Sequence, residues 1–149
     1  MTIQIAVDPG SRTGWVIFGE GKMLMYGTMH ASALKTESAR VKRQGERWLS
    51  FLSHIEKPVT AVCVEDFETY VRPNASVGFN LSRCLMTCQA YTDAIISACR
   101  EYGVEPIRLK MGKGGKKKAF MLAQQYGIPV TKPHVHDALL LGALAGFLK

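Results

Sequence analysis

Two short apolar runs in this chain end on a carboxylate: Ile3-Gln4-Ile5-Ala6-Val7 leads into Asp8, and Thr60-Ala61-Val62-Cys63-Val64 leads into Glu65. Either alone is ordinary, because Asp ahead of Pro9-Gly10 is a common turn residue and Glu at the start of a loop is usually solvated. Glu65, however, follows a stretch that reads as a buried central strand, where a carboxylate must find a cation or take up a proton. A third acid, Asp137, lies three residues after His134 in Pro133-His134-Val135-His136-Asp137, so these two share one helical face while His136 points elsewhere. That face continues through Leu141 and Leu144. An acid on such a stripe is awkward unless the helix's first turn abuts the sheet end where Asp8 and Glu65 emerge, although it also complements the helix dipole without any active site. Three carboxylates and an imidazole suit Mg²⁺, two ions per site, with Mn²⁺ as a substitute. The chemistry such a set supports is phosphodiester hydrolysis, with a water made more acidic by one metal and the leaving 3′ oxygen stabilised by the other. No covalent nucleophile is needed. His134 is a candidate to ligate metal, position the water or relay its proton, and its place in the sequence does not separate these roles.

Positioning these groups takes one compact domain, and 149 residues with 47% hydrophobic content provide for one and not two. The formal net charge of +7 favours a polyanionic partner, nucleic acid first. Five lysines fall within the nine residues Lys110-Met111-Gly112-Lys113-Gly114-Gly115-Lys116-Lys117-Lys118. This stretch reads as a glycine-rich loop too charged to pack, with phosphate contact favoured over a merely solvated charge run. Cys63, Cys84, Cys88 and Cys99 lack zinc-ribbon spacing and read as core thiols of a protein made for a reducing compartment. No apolar run approaches the ~20 residues needed to span a bilayer, and no signal peptide precedes the first strand, so a cytoplasmic protein is expected.

Three antiparallel strands are predicted at the start: the run ending at Asp8, then Gly14 to Phe18 and Met23 to Met29 about a glycine-bearing turn at residues 19–22. A helix follows from Lys35 to about Ile55, with Val41, Trp48, Leu49, Leu52 and Ile55 as its apolar stripe. After the strand ending at Glu65 come a long helix from Ser76 to Tyr102 capped by Gly103, a strand from Val104 to Leu109, a short helix from about Lys117 to Tyr126, and a last helix from His134 to Leu148. This order predicts an α/β fold, a mixed five-stranded sheet flanked by helices and spanning residues 1–149 as one domain.

With these elements in place, Val7-Asp8-Pro9-Gly10-Ser11-Arg12-Thr13-Gly14-Trp15, Val64-Glu65 after a hydrophobic strand, and His136-Asp137-Ala138-Leu139 resemble the RuvC family of Holliday-junction resolvases. The resemblance covers essentially the whole chain. It implies an RNase H-like fold, a homodimer, and paired Mg²⁺-dependent nicks in four-way DNA junctions that leave 5′-phosphate and 3′-OH ends, in DNA recombination and repair. By position, Asp8, Glu65 and Asp137 match the family's metal-binding acids, and His134 stands where many members carry a fourth. Gly112, Gly114 and Lys118 resemble the family's Gly-x-Gly segment with its functional lysine, and Lys110 matches a second basic position; with Lys113, Lys116 and Lys117 they would bind phosphates of the cut strand. The family stacks an aromatic residue on unpaired bases shortly after the glutamate. Here Phe67 and Tyr70 flank that position, which Glu68 occupies, and Arg72 follows as a further DNA contact. The family's dimer-contact helix segment is represented at best by Gln89-Ala90. Small size would suit a phage-type member.

Other classes fit parts of the pattern. A flap or branched-DNA nuclease and an RNase H acting on hybrids use the same acids. Asp8-x-Gly10-x-x-Thr13-Gly14 also resembles the first phosphate loop of actin-like ATPases, but those close two such domains over nucleotide and have no use for the lysine-rich loop. A non-catalytic DNA-binding module would place three carboxylates against phosphate to no advantage.

Overall fold

The run that ends at Asp8 forms the middle strand of a five-stranded sheet of order β3-β2-β1-β4-β5. The structure is a computed structural model that describes residues 1–31, 33–66 and 79–149, with only the backbone described for residues 79–86. Its strands are β1 (Ile3–Asp8), β2 (Arg12–Gly19), β3 (Lys22–His30), β4 (Val59–Glu65) and β5 (Ile107–Leu109). Its helices are α1 (Glu37–His54), α2 (Phe79–Tyr102), α3 (Gly115–Gln125) and α4 (Pro133–Leu144). Strands β1, β2 and β3 are antiparallel neighbours, whereas β1–β4 and β4–β5 are parallel. Glu20 and Gly21, both with positive φ (54° and 78°), join β2 to β3. That is the mirror-image two-residue turn whose twist suits a hairpin.

Side chains alternate between the two faces of a strand. On one face Ile5, Val7, Val62 and Val64 pack with Trp48 and Leu52 of α1 and Ile95 and Cys99 of α2. On the other, Ala6, Val16, Phe18 and Cys63 pack with Ala119 and Ala123 of α3 and Leu139 and Leu141 of α4. Asp8 is two residues beyond Ala6 and Glu65 two beyond Cys63, so both acids fall on the α3/α4 face. Because β1 and β4 are adjacent and parallel, both also leave the sheet at the same edge.

Three predicted boundaries need correction. The fifth strand covers only Ile107–Leu109 instead of beginning at Val104, as Pro106 has no N–H for the ladder. The short helix begins at Gly115, two residues early, which brings Lys116 into its first turn beside Lys117 and Lys118. The last helix starts at Pro133 as its first residue and stops at Leu144, which is 53% exposed, so the buried face ends at Leu141. Among the described residues, no helix is long and apolar enough to cross a membrane.

Gly14 sets how closely α4 approaches the sheet. It pairs with Asp8 across the β1–β2 ladder, and a Cβ there would sit 2.3 Å from the His134 carbonyl and 2.7 Å from the Val135 nitrogen. The first turn of α4 reaches Asp8 only because this position is bare. Gly142 repeats the device one end further on, where a Cβ would meet Phe18 at 2.3 Å. Gly14→Ala should therefore push the first turn of α4 off β2, destabilise the fold by about 1–3 kcal/mol, and weaken Mn²⁺ binding by calorimetry. Unchanged melting temperature and metal affinity would show that the contact yields freely.

Candidate metal centre

Asp8, Glu65 and Asp137 are all buried, and one ligand atom from each lies within 4.8 Å of the others. Asp8 and Glu65 come from adjacent strand ends, Asp137 from the second turn of α4. Placing three acids together away from water is unfavourable, and the site shows it. Burial foremost pushes Asp8 up to about 7 and Glu65 up to about 9. A hydrogen bond between the two carboxyls favours ionised Asp8 and protonated Glu65, and the charge of Asp137 raises both. Asp8 and Glu65 thus retain protons that ordinary carboxylates release by neutral pH. An all-oxygen set of this kind is what a hard divalent cation takes as ligands, and metal must displace those protons to bind.

His134 joins through Asp8: its Nδ1 lies 3.1 Å from Asp8 Oδ2. Burial chiefly, with Lys116 and Arg12 adding to it, lowers the imidazole's pKa against the opposing pull of Asp137 and Glu65. A neutral ring that donates from Nδ1 to Asp8 leaves Nε2 as an acceptor. His136, as expected, faces away and donates from Nε2 to the Pro129 carbonyl at 2.8 Å.

The lysines divide. Lys116, in the first turn of α3, reaches into the acids and pairs with Asp137 through its Nζ. Its pKa rises although burial opposes this, because Asp137, Asp8 and Glu65 all stabilise its charge. Lys110, Lys113, Lys117 and Lys118 are exposed, and among the described residues they make no salt bridge. Sequence reasoning treated the five lysines alike; the one-turn helical position that singles out Lys116 depended on a helix start it did not foresee. Phe67, Tyr70 and Arg72, proposed above as DNA contacts, lie outside the described residues.

Sequence reasoning also missed Gln44. It is fully buried in α1, where its Nε2 donates to Thr13 Oγ1 at 3.0 Å and the Met29 carbonyl at 2.9 Å, with the Gly10 carbonyl at 3.5 Å. Thr13 Oγ1 in turn donates to the Gly10 carbonyl at 2.8 Å. These bonds brace the turn that follows Asp8. The charged residues around it in α1 carry no pattern that marks this amide as inward-facing.

The fold belongs to a known architectural class. The chain superposes over 100% of its length on 99% of the Thermus thermophilus RuvC chain in complex with Holliday junction substrate, at TM-score 0.66 and 21% identity. A second Thermus thermophilus RuvC structure matches over 99% of this chain and 98% of its own at TM-score 0.63 and 21% identity. The fold is therefore that of RuvC, the RNase H-like arrangement expected from the sequence. No protein-family model and no curated protein matches the sequence.

Two predictions follow from the charge balance. For an acid whose folded pKa is raised, the folded state holds a proton that the unfolded chain has lost, so stability falls as pH rises between the two values. The metal-free protein should lose melting temperature from about pH 4 to about 7 through Asp8 and on to about 9 through Glu65. Asp8→Asn should flatten that profile and melt higher than wild type at pH 8; a flat wild-type profile would contradict the burial argument. Lys116→Met should tighten Mn²⁺ binding severalfold by removing the resident cation, and unchanged or weaker binding would show that Lys116 does not compete for the acids.

Proposed function

We propose that this chain is a divalent-metal-dependent endodeoxyribonuclease that resolves four-way DNA junctions by paired phosphodiester hydrolysis, leaving 5′-phosphate and 3′-OH ends. The observation that carries the reading is the joint one: end-to-end likeness to a RuvC structure solved with Holliday junction substrate, and three buried acids converging where that fold's sheet opens.

In this reading Asp8, Glu65 and Asp137 hold Mg²⁺, two ions per site, with Mn²⁺ as a substitute. Bound metal supplies an acidified water and stabilisation of the leaving 3′ oxygen. His134, with Nδ1 on Asp8, offers Nε2 to a proton released by the water. Lys116 neutralises Asp137 before metal arrives and is long enough to turn outward toward a phosphate, while Lys110, Lys113, Lys117 and Lys118 hold the backbone of the cut strand. Two nicks placed symmetrically require two such sites, so the working form is a homodimer. Buried thiols at Cys63 and Cys99, neither in a disulfide, suit a reducing, cytoplasmic setting.

Wild-type protein with Mg²⁺ should nick a synthetic four-way junction in symmetric pairs, ahead of flap, three-way and RNA–DNA hybrid substrates. Asp8→Asn and Glu65→Gln should each lower that rate by roughly a thousandfold or more. Wild-type rates from either variant would sink the metal assignment, and a preference for hybrids or flaps would replace the substrate. A strict monomer by sedimentation velocity, with and without junction, would exclude paired nicking.

A further inference from the structure

Strand order writes a sequence of charges along the sheet edge from which the acids emerge. β3 ends there at His30, β2 begins there at Arg12, β1 ends at Asp8, β4 at Glu65, and β5 at Leu109 with Lys110 next. From β3 to β5 the edge reads imidazole, guanidinium, carboxylate, carboxylate, ammonium. The lysine flank is part of the reading above; the opposite flank is not.

That opposite flank is a connected structure. Arg12 faces His30 across the β2–β3 ladder. Arg47 of α1 donates from Nη1 to the His30 carbonyl at 2.5 Å, and Arg40, two turns earlier, donates to the Leu34 carbonyl at 2.7 Å. Between them Gln44 pins α1 to Thr13 and Met29, the neighbours of Arg12 and His30. Arg40 and Arg47 stand four residues before and three after Gln44, so both lie on its side of the helix.

Surface arginines usually find acids, as Arg43 does with Glu46 and Arg100 with Glu105. Among the described residues, Arg12, Arg40 and Arg47 pair with none, and the acid in the first turn of α1, Glu37, is not bonded to them. Arg40 and Arg47 are instead anchored on backbone carbonyls, which restrict the side chain without cancelling its charge and leave most of the five guanidinium N–H donors unused. Phosphate oxygens are the ligands such a fork fits. Three gaps separate β2 from β5, about 14 Å at the usual strand spacing, or roughly four nucleotides of axial rise along one DNA strand.

We infer that Arg12, Arg40 and Arg47 form a second phosphate-binding flank, holding the DNA strand on the side of the acids away from the lysines. The inference rests on the nuclease reading and adds to it a direction: the cut strand crosses the sheet edge from β3 to β5, gripped on both sides of the acids.

The test is binding of a four-way junction without divalent metal, by fluorescence anisotropy between about 50 and 200 mM salt. Arg12→Gln with Arg47→Gln should weaken binding roughly tenfold or more and reduce the slope of log K against log salt by about 2. Mn²⁺ affinity and melting temperature should stay at wild-type values. Arg12→Gln alone, which breaks no carbonyl anchor, should remove about half of the slope change. Single methylphosphonates along the cut strand should weaken wild-type binding on both sides of the scissile bond, and in the double variant chiefly on the lysine side, Arg40 alone remaining on the other. If slope and interference pattern stay unchanged while Lys116, Lys117 and Lys118 replaced by Ala lose affinity, this flank fails and the nuclease reading stands. If wild-type protein binds no DNA, or binds an acidic peptide through these arginines in its place, the inference falls too, and the first of those results also removes the nuclease reading.

Discussion

Three carboxylates forced together out of water dominate this molecule. Each would be stable in solution as an anion, and together they repel, so Asp8 and Glu65 hold on to protons and Asp137 takes a lysine. The arrangement lowers the stability of the empty fold and persists because the surrounding core over-determines it. Ala6, Cys63, Leu139 and Leu141 pack immediately behind the three acids, so none can withdraw without opening that layer. The unfavourable energy of gathering the three acids is what a divalent cation would offset on binding.

Two small features convert an ordinary α/β sheet into this site. Parallel pairing of β1 with β4 puts two strand ends side by side, and matched parity turns both terminal acids to one face. The bare backbone at Gly14 then lets the first turn of α4 lie close enough for His134 to meet Asp8 and for Asp137 to complete the set. Gln44 secures the turn between Asp8 and Gly14 from the opposite face. The acids are thus held by helices on both sides of the sheet, which is why their mutual repulsion does not part them.

Much of this was legible beforehand because period and punctuation carried it. Apolar runs ending at Asp8 and Glu65 marked strand exits, and the three-residue spacing of His134 and Asp137 marked a shared helical face. The order of elements implied a mixed sheet, and the acids were expected to meet if the strands that carry them were neighbours, as β1 and β4 are. Three features were not legible. The start of α3 depends on Gly114 in a left-handed conformation (φ 74°) and on Gly115 packed against Met111, contacts that a lysine-rich composition conceals. The end of α4 at Leu144 precedes a positive-φ Gly146, yet Leu144 and Phe147 continue the apolar pattern past the last turn. Gln44 sits in a charged stretch whose periodicity gives no hint that one amide turns inward. Each depends on tertiary packing that local pattern does not record.

The same geometry reconciles two charge requirements that oppose each other. A surface of net charge +7 attracts phosphate, yet the acids proposed to hold metal are anions, and anions at that point repel a polyanion. Distributing the cations evenly would neutralise the acids and loosen metal binding. Strand order instead segregates them: among the described residues Lys116 is the one lysine or arginine paired with an acid of the cluster, with Arg12 on β2 and Lys110 after β5 to either side. Separations of about one or two strand spacings fall within the roughly 8–10 Å over which charges act at physiological salt. Attraction by the flanks therefore still reaches a phosphate poised over the acids, while the acids, buried and shielded, keep their claim on the metal.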